Sequence, residues 1–209
     1  MNMNNLFEHM LTVFLGYFAI MNPVANTAAF IGLASAEPQA ERNRIALRAV
    51  TIAFVIILAF ALLGKVIFHM FGITLPALRI TGGILVFQVG YHMLQGYSSN
   101  LQKSHEESDV DISISPLATP LLAGPGTIAT TMNFAAQPGN GEIFATISMF
   151  ALLCAITYTF FKYSENIVNF FGQRGLKIIT RMMGLILAVM GTQMFLHGIG
   201  GAIDAYLGK

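Results

Sequence analysis

The chain has little charge, a single cysteine and no tryptophan. Of its 209 residues, 11 are Lys or Arg and 10 are Asp or Glu, which is 10% charged residues against roughly 25% in a soluble domain. So few charges cannot cover a water-facing surface. One cysteine, Cys154, excludes an internal disulfide, and we expect it to be a small packing residue. The formal net charge of +1, without a basic cluster, argues against a nucleic-acid partner.

Hydrophobic residues, in contrast, make up 55% of the chain and fall into long runs. An apolar stretch of about 20 residues is long enough to cross a bilayer as a helix. The runs predict an all-α integral membrane protein with six spans, at about 6–34, 45–71, 77–98, 113–136, 142–171 and 178–203. The protein's first partner is therefore the lipid bilayer.

The distribution of Lys and Arg predicts the orientation, because loops on the cytoplasmic side carry an excess of both. The loops after the odd-numbered segments hold eight and the opposite side holds three. The eight are Arg42, Arg44, Arg48, Lys103, Lys162, Arg174, Lys177 and Arg181, and the three are Lys65, Arg79 and Lys209. We therefore expect both termini on the outer side, which in a bacterium is the periplasm.

Two proline breaks interrupt apolar segments at places 102 residues apart, at Asn22-Pro23 and at Gly124-Pro125-Gly126. Proline lacks an N–H and clashes with the carbonyl one turn earlier, so a helix opens there. In hydrocarbon, opened backbone is tolerated only where it is buried in protein or lines a cavity. Paired interruptions in two halves of a chain indicate the substrate site of a secondary transporter, near the bilayer midplane.

Glycines in the third and sixth segments also match at one offset. Gly83, Gly90 and Met93 correspond to Gly184, Gly191 and Met194 with a shift of 101 residues. We interpret this as a duplication. Residues 1–101 form one three-helix repeat, a cytoplasmic linker reaches about 112, and residues 113–209 form a second repeat of inverted orientation. The alternative is that glycines common in membrane helices match by chance.

The two breaks supply the candidate binding groups. Unpaired N–H groups at a helix start suit a carboxylate, and unpaired carbonyls at a helix end suit an ammonium, so a zwitterion needs no charged side chain. The predicted substrate-binding residues are Asn22, Pro23, Ala25, Asn26, Thr27, Ala123, Gly124, Pro125, Gly126 and Thr127. The alternative is that Asn and Thr only join helices through interhelical hydrogen bonds. No cofactor is expected.

His92 is the candidate proton relay, because its unperturbed pKa is about 6.5 and it forms one helical stripe with Gln88 and Gln95. The alternative is that it lies in the wet inner interface. The five histidines do not have the spacing of a metal site.

Several motifs together resemble the MarC/SnatA-type membrane proteins along nearly the whole chain. They are Asn22-Pro23 with Phe30, the stretches 78–85 (LRITGGIL) and 116–121 (PLATPL), 123–126 (AGPG), and 180–185 (TRMMGL). The resemblance implies a bacterial inner-membrane protein of six helices in two inverted halves that moves small neutral amino acids. The chain departs from the family pattern at Ala25 and Ala28, where a Gly and a second Pro are usual.

The sequence thus predicts a secondary transporter of alanine, glycine or serine that works by alternating access. A proton or sodium could be the coupling ion, and a homo-oligomer is compatible with the sequence. The alternatives are an exporter of another small metabolite or drug, and a membrane assembly factor that transports nothing. We expect no enzyme, because Asp109, Asp111 and Asp204 lie in a loop and at the tail, so a pair of intramembrane aspartates is missing.

Overall fold

The computed structural model describes residues 3–34, 37–95, 113–136 and 141–208, and within these ranges it is helical, without strands. The helices are α1 (Met3–Met21), α2 (Pro23–Ala34), α3 (Gln39–Phe71), α4 (Leu75–Gln95), a π-helix (Ser113–Leu122), α5 (Pro125–Ala135), α6 (Glu142–Lys162) and α7 (Ser164–Leu207). The acidic loop 102–111, the linker to about 112, Lys103 and Lys209 lie outside the described residues. The all-α prediction is confirmed for the described part.

Among the residues that the structure describes, four helical stretches are long and apolar enough to cross a membrane, against the six that we predicted. They are Glu8–Ala34, Gln39–Gly64, Glu142–Lys162 and Arg174–Leu207. The predicted third span, α4, has 21 residues, but Gln88, His92 and Gln95 make it more polar. The predicted fourth span, 113–136, is divided into helices of 10 and 11 residues. The predicted fifth span is too long, because α6 ends at Lys162.

Both predicted discontinuities are present, and both are narrower than we predicted. The first consists of Asn22 alone, between α1 and α2, and the second of Ala123 and Gly124, between the π-helix and α5. Pro23 and Pro125 begin the helices that follow, where the missing N–H costs no hydrogen bond and the fixed φ already suits a helix. Helix therefore resumes within two residues of each break.

Helices α4 and α7 pack antiparallel with their backbones in contact. A Cβ on Gly83 would lie 2.7 Å from the Gly191 carbonyl oxygen, and a Cβ on Gly90 would lie 2.6 Å from that of Gly184. The contacts are reciprocal, because a Cβ on Gly184 would lie 2.8 Å from the Gly90 oxygen and one on Gly191 would lie 2.7 Å from the Gly83 oxygen. The absence of side chains at these four glycines is what lets the two backbones approach so closely. Gly200, by comparison, has no atom within 4 Å of a Cβ position.

Aromatic side chains fill the centre of the bundle. The rings of Phe30 and Phe161 stack with centroids 4.5 Å apart, and Tyr17 meets Phe150 edge-on at 5.0 Å. All four side chains are fully buried. Cys154 is also buried in this core, as predicted for a packing residue. The core therefore joins the broken helix pair α1–α2 to α6.

Polar contacts join the ends of neighbouring helices. His9 pairs with Glu142 at the starts of α1 and α6, and Arg42 Nη1 lies 2.7 Å from Glu165 Oε1 at the starts of α3 and α7.

Helix α7 is not straight, because Gly172 has φ 62° and ψ 166°. The eight residues before Gly172 therefore leave the axis of the long apolar part.

Candidate functional site

Asn22 forms the first break and caps the helix that follows it. Its φ of 39° is in the left-handed region, which Asn tolerates better than most residues. Its N–H donates to the Phe18 carbonyl at 2.9 Å, which completes α1, and its Oδ1 accepts from the Ala25 N–H at 3.2 Å. That second bond is the side-chain N-cap of α2. One residue thus ends one helix and starts the next.

Asn26 makes a hydrogen bond to the backbone on the other side of the break. Its Nδ2 donates to the Met21 carbonyl at 2.6 Å, so the last carbonyl of α1 has a partner in spite of the proline. Thr27, one residue further on, donates to the Pro23 carbonyl at 2.7 Å within its own helix. Both side chains are buried. Asn26 therefore bonds backbone that the break has freed, whereas Thr27 bonds an ordinary carbonyl of α2.

The side-chain nitrogen of Asn22, Nδ2, has no hydrogen-bond partner in the part of the chain that the structure describes. The residue is only 3% exposed, and its Nδ2 has no hydrogen-bond acceptor among the residues that the structure describes. A buried donor without an acceptor costs about 1–3 kcal/mol, so such groups in proteins usually meet water or a ligand. The first break therefore presents a spare N–H donor inside the bundle.

The second break is built differently, without a side-chain cap. The π-helix that leads to it ends with an i to i−5 bond from the Ala123 N–H to the Ala118 carbonyl at 2.8 Å. Gly124 is the extended N-cap of α5, and it makes no side-chain hydrogen bond to the helix. The first main-chain bond of α5 runs from Ile128 to Gly124 at 3.0 Å. The N–H groups of Gly126 and Thr127 precede that bond, so this helix start is electropositive.

The helices beside the two breaks, α1 and α5, contact each other and cross antiparallel. The Tyr17 hydroxyl donates to Thr131 Oγ1 at 2.8 Å, and Thr131 in turn donates to the Thr127 carbonyl at 2.7 Å. Two residues before Asn22, the Ile20 Cδ1 lies 2.9 Å from the position that a Cβ would take on Gly126. A side chain at position 126 would therefore have to displace the Ile20 methyl group.

Most of the predicted binding residues share this buried region. Those buried are Asn22, Pro23, Asn26, Thr27, Ala123, Gly124, Gly126 and Thr127, whereas Ala25 is half-buried and Pro125 is exposed. Sequence reasoning missed Ile20 and Val86, which lie beside Gly126 at the second break, and Tyr17, which bonds Thr131 further along α5. Tyr17 could have been noticed as a tyrosine inside an apolar run, because a buried hydroxyl needs a partner.

His92, the candidate proton relay, is not part of this buried region. It is on the exposed face of α4, with its ring centroid 6.3 Å from that of Tyr91. Val86, on the buried face of the same helix, lies beside Gly126 instead, at 3.8 Å from its Cβ position. Gln193, the residue that matches His92 in the second half, makes a 2.9 Å contact with His197. The described residues contain no group of three or more His, Cys, Asp and Glu side chains that could hold a metal.

Comparison with known proteins gives one consistent result. The family model described as MarC family integral membrane protein matches residues 7–203. The UPF0056 membrane protein YvbG of Bacillus subtilis is 38% identical over 94% of this chain and 96% of that protein. In Escherichia coli, YhcE is 34% identical, covering 93% of each chain, and the UPF0056 inner membrane protein MarC is 32% identical, covering 90% of this chain and 92% of its own. No solved structure matches.

Proposed function

The chain belongs to the MarC family of integral membrane proteins, and we propose that it is a secondary transporter that moves small neutral amino acids by alternating access. The observation that carries the proposal is the contact between two broken helices inside the bundle, with Asn22 Nδ2 left without an acceptor among the described residues. A purely structural kink needs no spare donor. A substrate site at membrane depth does, because every polar group of the substrate must find a partner there.

In this proposal the donors at the breaks bind the substrate carboxylate. They are Asn22 Nδ2 and the amides at the start of α5, which together carry positive potential without a formal charge. Carbonyl groups at the end of the π-helix suit the ammonium. The close packing of Ile20 against Gly126 leaves room for a small side chain only, which favours glycine, alanine and serine.

We further propose that the chain consists of two inverted three-helix repeats and crosses the membrane six times. Helices α2 and α5 begin at Pro23 and Pro125, 102 residues apart, as the duplication requires. The glycine contacts between α4 and α7 are reciprocal at the matching offset of 101, and the two helices are antiparallel. A two-fold axis in the membrane plane would produce this pattern. Helix α4 and residues 113–136 would be the third and fourth spans.

The test is uptake of labelled alanine by the purified protein in liposomes. Gly126→Leu places a side chain against Ile20 in the break, so we expect uptake to fall to background. Gly200→Leu is the matched control, because this helical glycine has no atom within 4 Å of its Cβ position, and we expect normal uptake. Equal uptake by the two variants would leave the breaks as structural kinks.

The same assay examines substrate and coupling. We expect excess unlabelled glycine or serine to reduce alanine uptake and a bulky amino acid such as phenylalanine to leave it unchanged. Imposing a proton gradient and a sodium gradient in turn shows which ion drives uptake. If the wild-type protein takes up none of the three small amino acids under either gradient, the substrate class is wrong. An exporter of another metabolite, or an assembly factor, would then be the better description.

A further inference from the structure

We propose that the exposed polar face of α4 is the contact between two copies of this chain in the membrane. Four residues form this face, here called the α4 stripe, namely Thr81, Gln88, His92 and Gln95. Their spacings of seven, four and three residues place them along one side of a helix. All four are exposed, whereas Gly82, Gly83, Val86, Gly90 and Met93 on the other side of α4 are buried.

The depth of the α4 stripe in the bilayer can be inferred from α7, the helix against which α4 packs. Gln88 lies between Gly83 and Gly90, which contact α7 at Gly191 and Gly184. Those two positions bracket the middle of the apolar stretch Arg174–Leu207. Gln88 therefore sits close to the centre of the bilayer if α7 spans it. His92 and Gln95 continue the stripe towards one interface and Thr81 continues it towards the other.

A primary amide at this depth is costly when it faces lipid, because hydrocarbon offers neither a donor nor an acceptor. The surfaces that cover such groups in membranes are other helices with polar side chains. Gln88 carries two donors and an acceptor, and His92 carries one of each in its neutral form, so each group can pair with a copy of itself. A two-fold axis along the membrane normal would bring identical stripes together in parallel at the same depth.

The apolar surface beside the stripe is also self-complementary. A groove of about 220 Å³ lies between α4 and α7 and is lined by Gly83, Ile84, Phe87, Gly191, Thr192 and Phe195. Exposed rings stand next to it, with Phe87 and Tyr91 stacked at 6.2 Å. A second copy thus finds large side chains and an empty groove on one surface. The hydrogen-bonding stripe together with this shape is the reason for assigning the face to a second copy rather than to another protein.

Cysteine cross-linking in native membranes tests the contact directly, and it does not depend on transport. The background is Cys154→Ala, which removes the single thiol. In it, Gln88→Cys should give a disulfide-linked dimer on mild oxidation. Val55→Cys is the control, because Val55 is 57% exposed on α3 within the apolar stretch Gln39–Gly64, and we expect it to stay monomeric. Absence of the Gln88→Cys dimer, or equal cross-linking at position 55, would overturn the proposal.

A second variant tests the role of the amide. Gln88→Leu removes the hydrogen bonds and leaves the helix apolar, so it should insert and remain folded. We expect its dissociation constant for the dimer, measured by energy transfer between labelled copies in liposomes, to rise about tenfold. Alanine uptake by the remaining protein should be unchanged. If Gln88→Leu abolishes uptake while the wild-type protein is a monomer, the stripe belongs to a transport path and the dimer proposal is wrong.

Discussion

A single residue, Asn22, meets three requirements at the first break. Its backbone is left-handed at φ 39°, its Oδ1 caps α2, and its Nδ2 remains available inside the bundle. Glycine would meet the first requirement, and serine or aspartate would meet the second. None of these three residues has a side-chain amide N–H, so none meets the third. Asparagine supplies all three. This explains why an amide precedes the proline here, whereas a glycine precedes Pro125, where the backbone is extended and no cap is made.

Substitution at Asn22 separates stability from binding. Asn22→Gly keeps the left-handed backbone and loses the cap, which costs a few tenths of a kcal/mol. Asn22→Ala also pays for a Cβ in the left-handed region, roughly 1–2 kcal/mol more. We expect the melting temperature in detergent to fall in the order wild type, Asn22→Gly, Asn22→Ala. Alanine uptake should be lost in both variants. A glycine variant less stable than the alanine variant, or one that retains uptake, would contradict this account.

At the scale of the elements, the two halves resolve the same interruption by different means. In the first half the side chain of Asn26 reaches back to the Met21 carbonyl, and in the second half the π-helix supplies i to i−5 bonds. The prolines made the breaks predictable from the sequence, since proline cannot continue a helix. The π-helix was not predictable, because its apolar pattern is also that of an α-helix. The end of α6 at Lys162 was missed because the apolar residues 167–171 (IVNFF) were counted with α6 across the polar stretch 162–166 (KYSEN).

The α4–α7 contact predicts opposite effects for two alanine substitutions in one helix. In Gly191→Ala the new methyl would lie 2.3 Å from the Phe87 main-chain nitrogen, and backbone cannot move aside as a side chain can. We expect a destabilisation of about 1–3 kcal/mol. In Gly200→Ala the methyl meets open space, so the gain in helix propensity of up to about 1 kcal/mol should remain. Reversible unfolding in mixed micelles measures both. Equal effects would mean that α4 and α7 do not touch at Gly191.

For the whole molecule, polar contacts join helix ends that the predicted topology places on one side of the membrane. His9 of α1 pairs with Glu142 at the start of α6. Arg42 near the start of α3 pairs with Glu165 at the start of α7. The sequence could predict the helical class and the positions of the breaks, because proline and hydropathy act locally. It could not predict that Tyr17 bonds to Thr131, because such a contact depends on how distant helices cross.

Labelling of single cysteines examines the orientation, again in the Cys154→Ala background. In right-side-out vesicles, Gly208→Cys should react with a membrane-impermeant maleimide without further treatment, because the Lys and Arg count places the C-terminus outside. Glu37→Cys, between α2 and α3, should react only after the vesicles are permeabilised. The reverse pattern would invert the topology and would make the odd-numbered loops external.

The bend at Gly172 also has a consequence for how the protein adapts to lipid thickness. The short arm before it is attached to α3 by Glu165 and carries Phe170, which is 84% exposed, next to the basic residues Arg174 and Lys177. Aromatic rings beside cationic side chains settle at the headgroup boundary. Because the left-handed glycine lets this arm turn away from the long part of α7, the arm can stay at the boundary while the span tilts. We therefore expect a thicker or thinner bilayer to change the tilt of α7 rather than the depth of the arm.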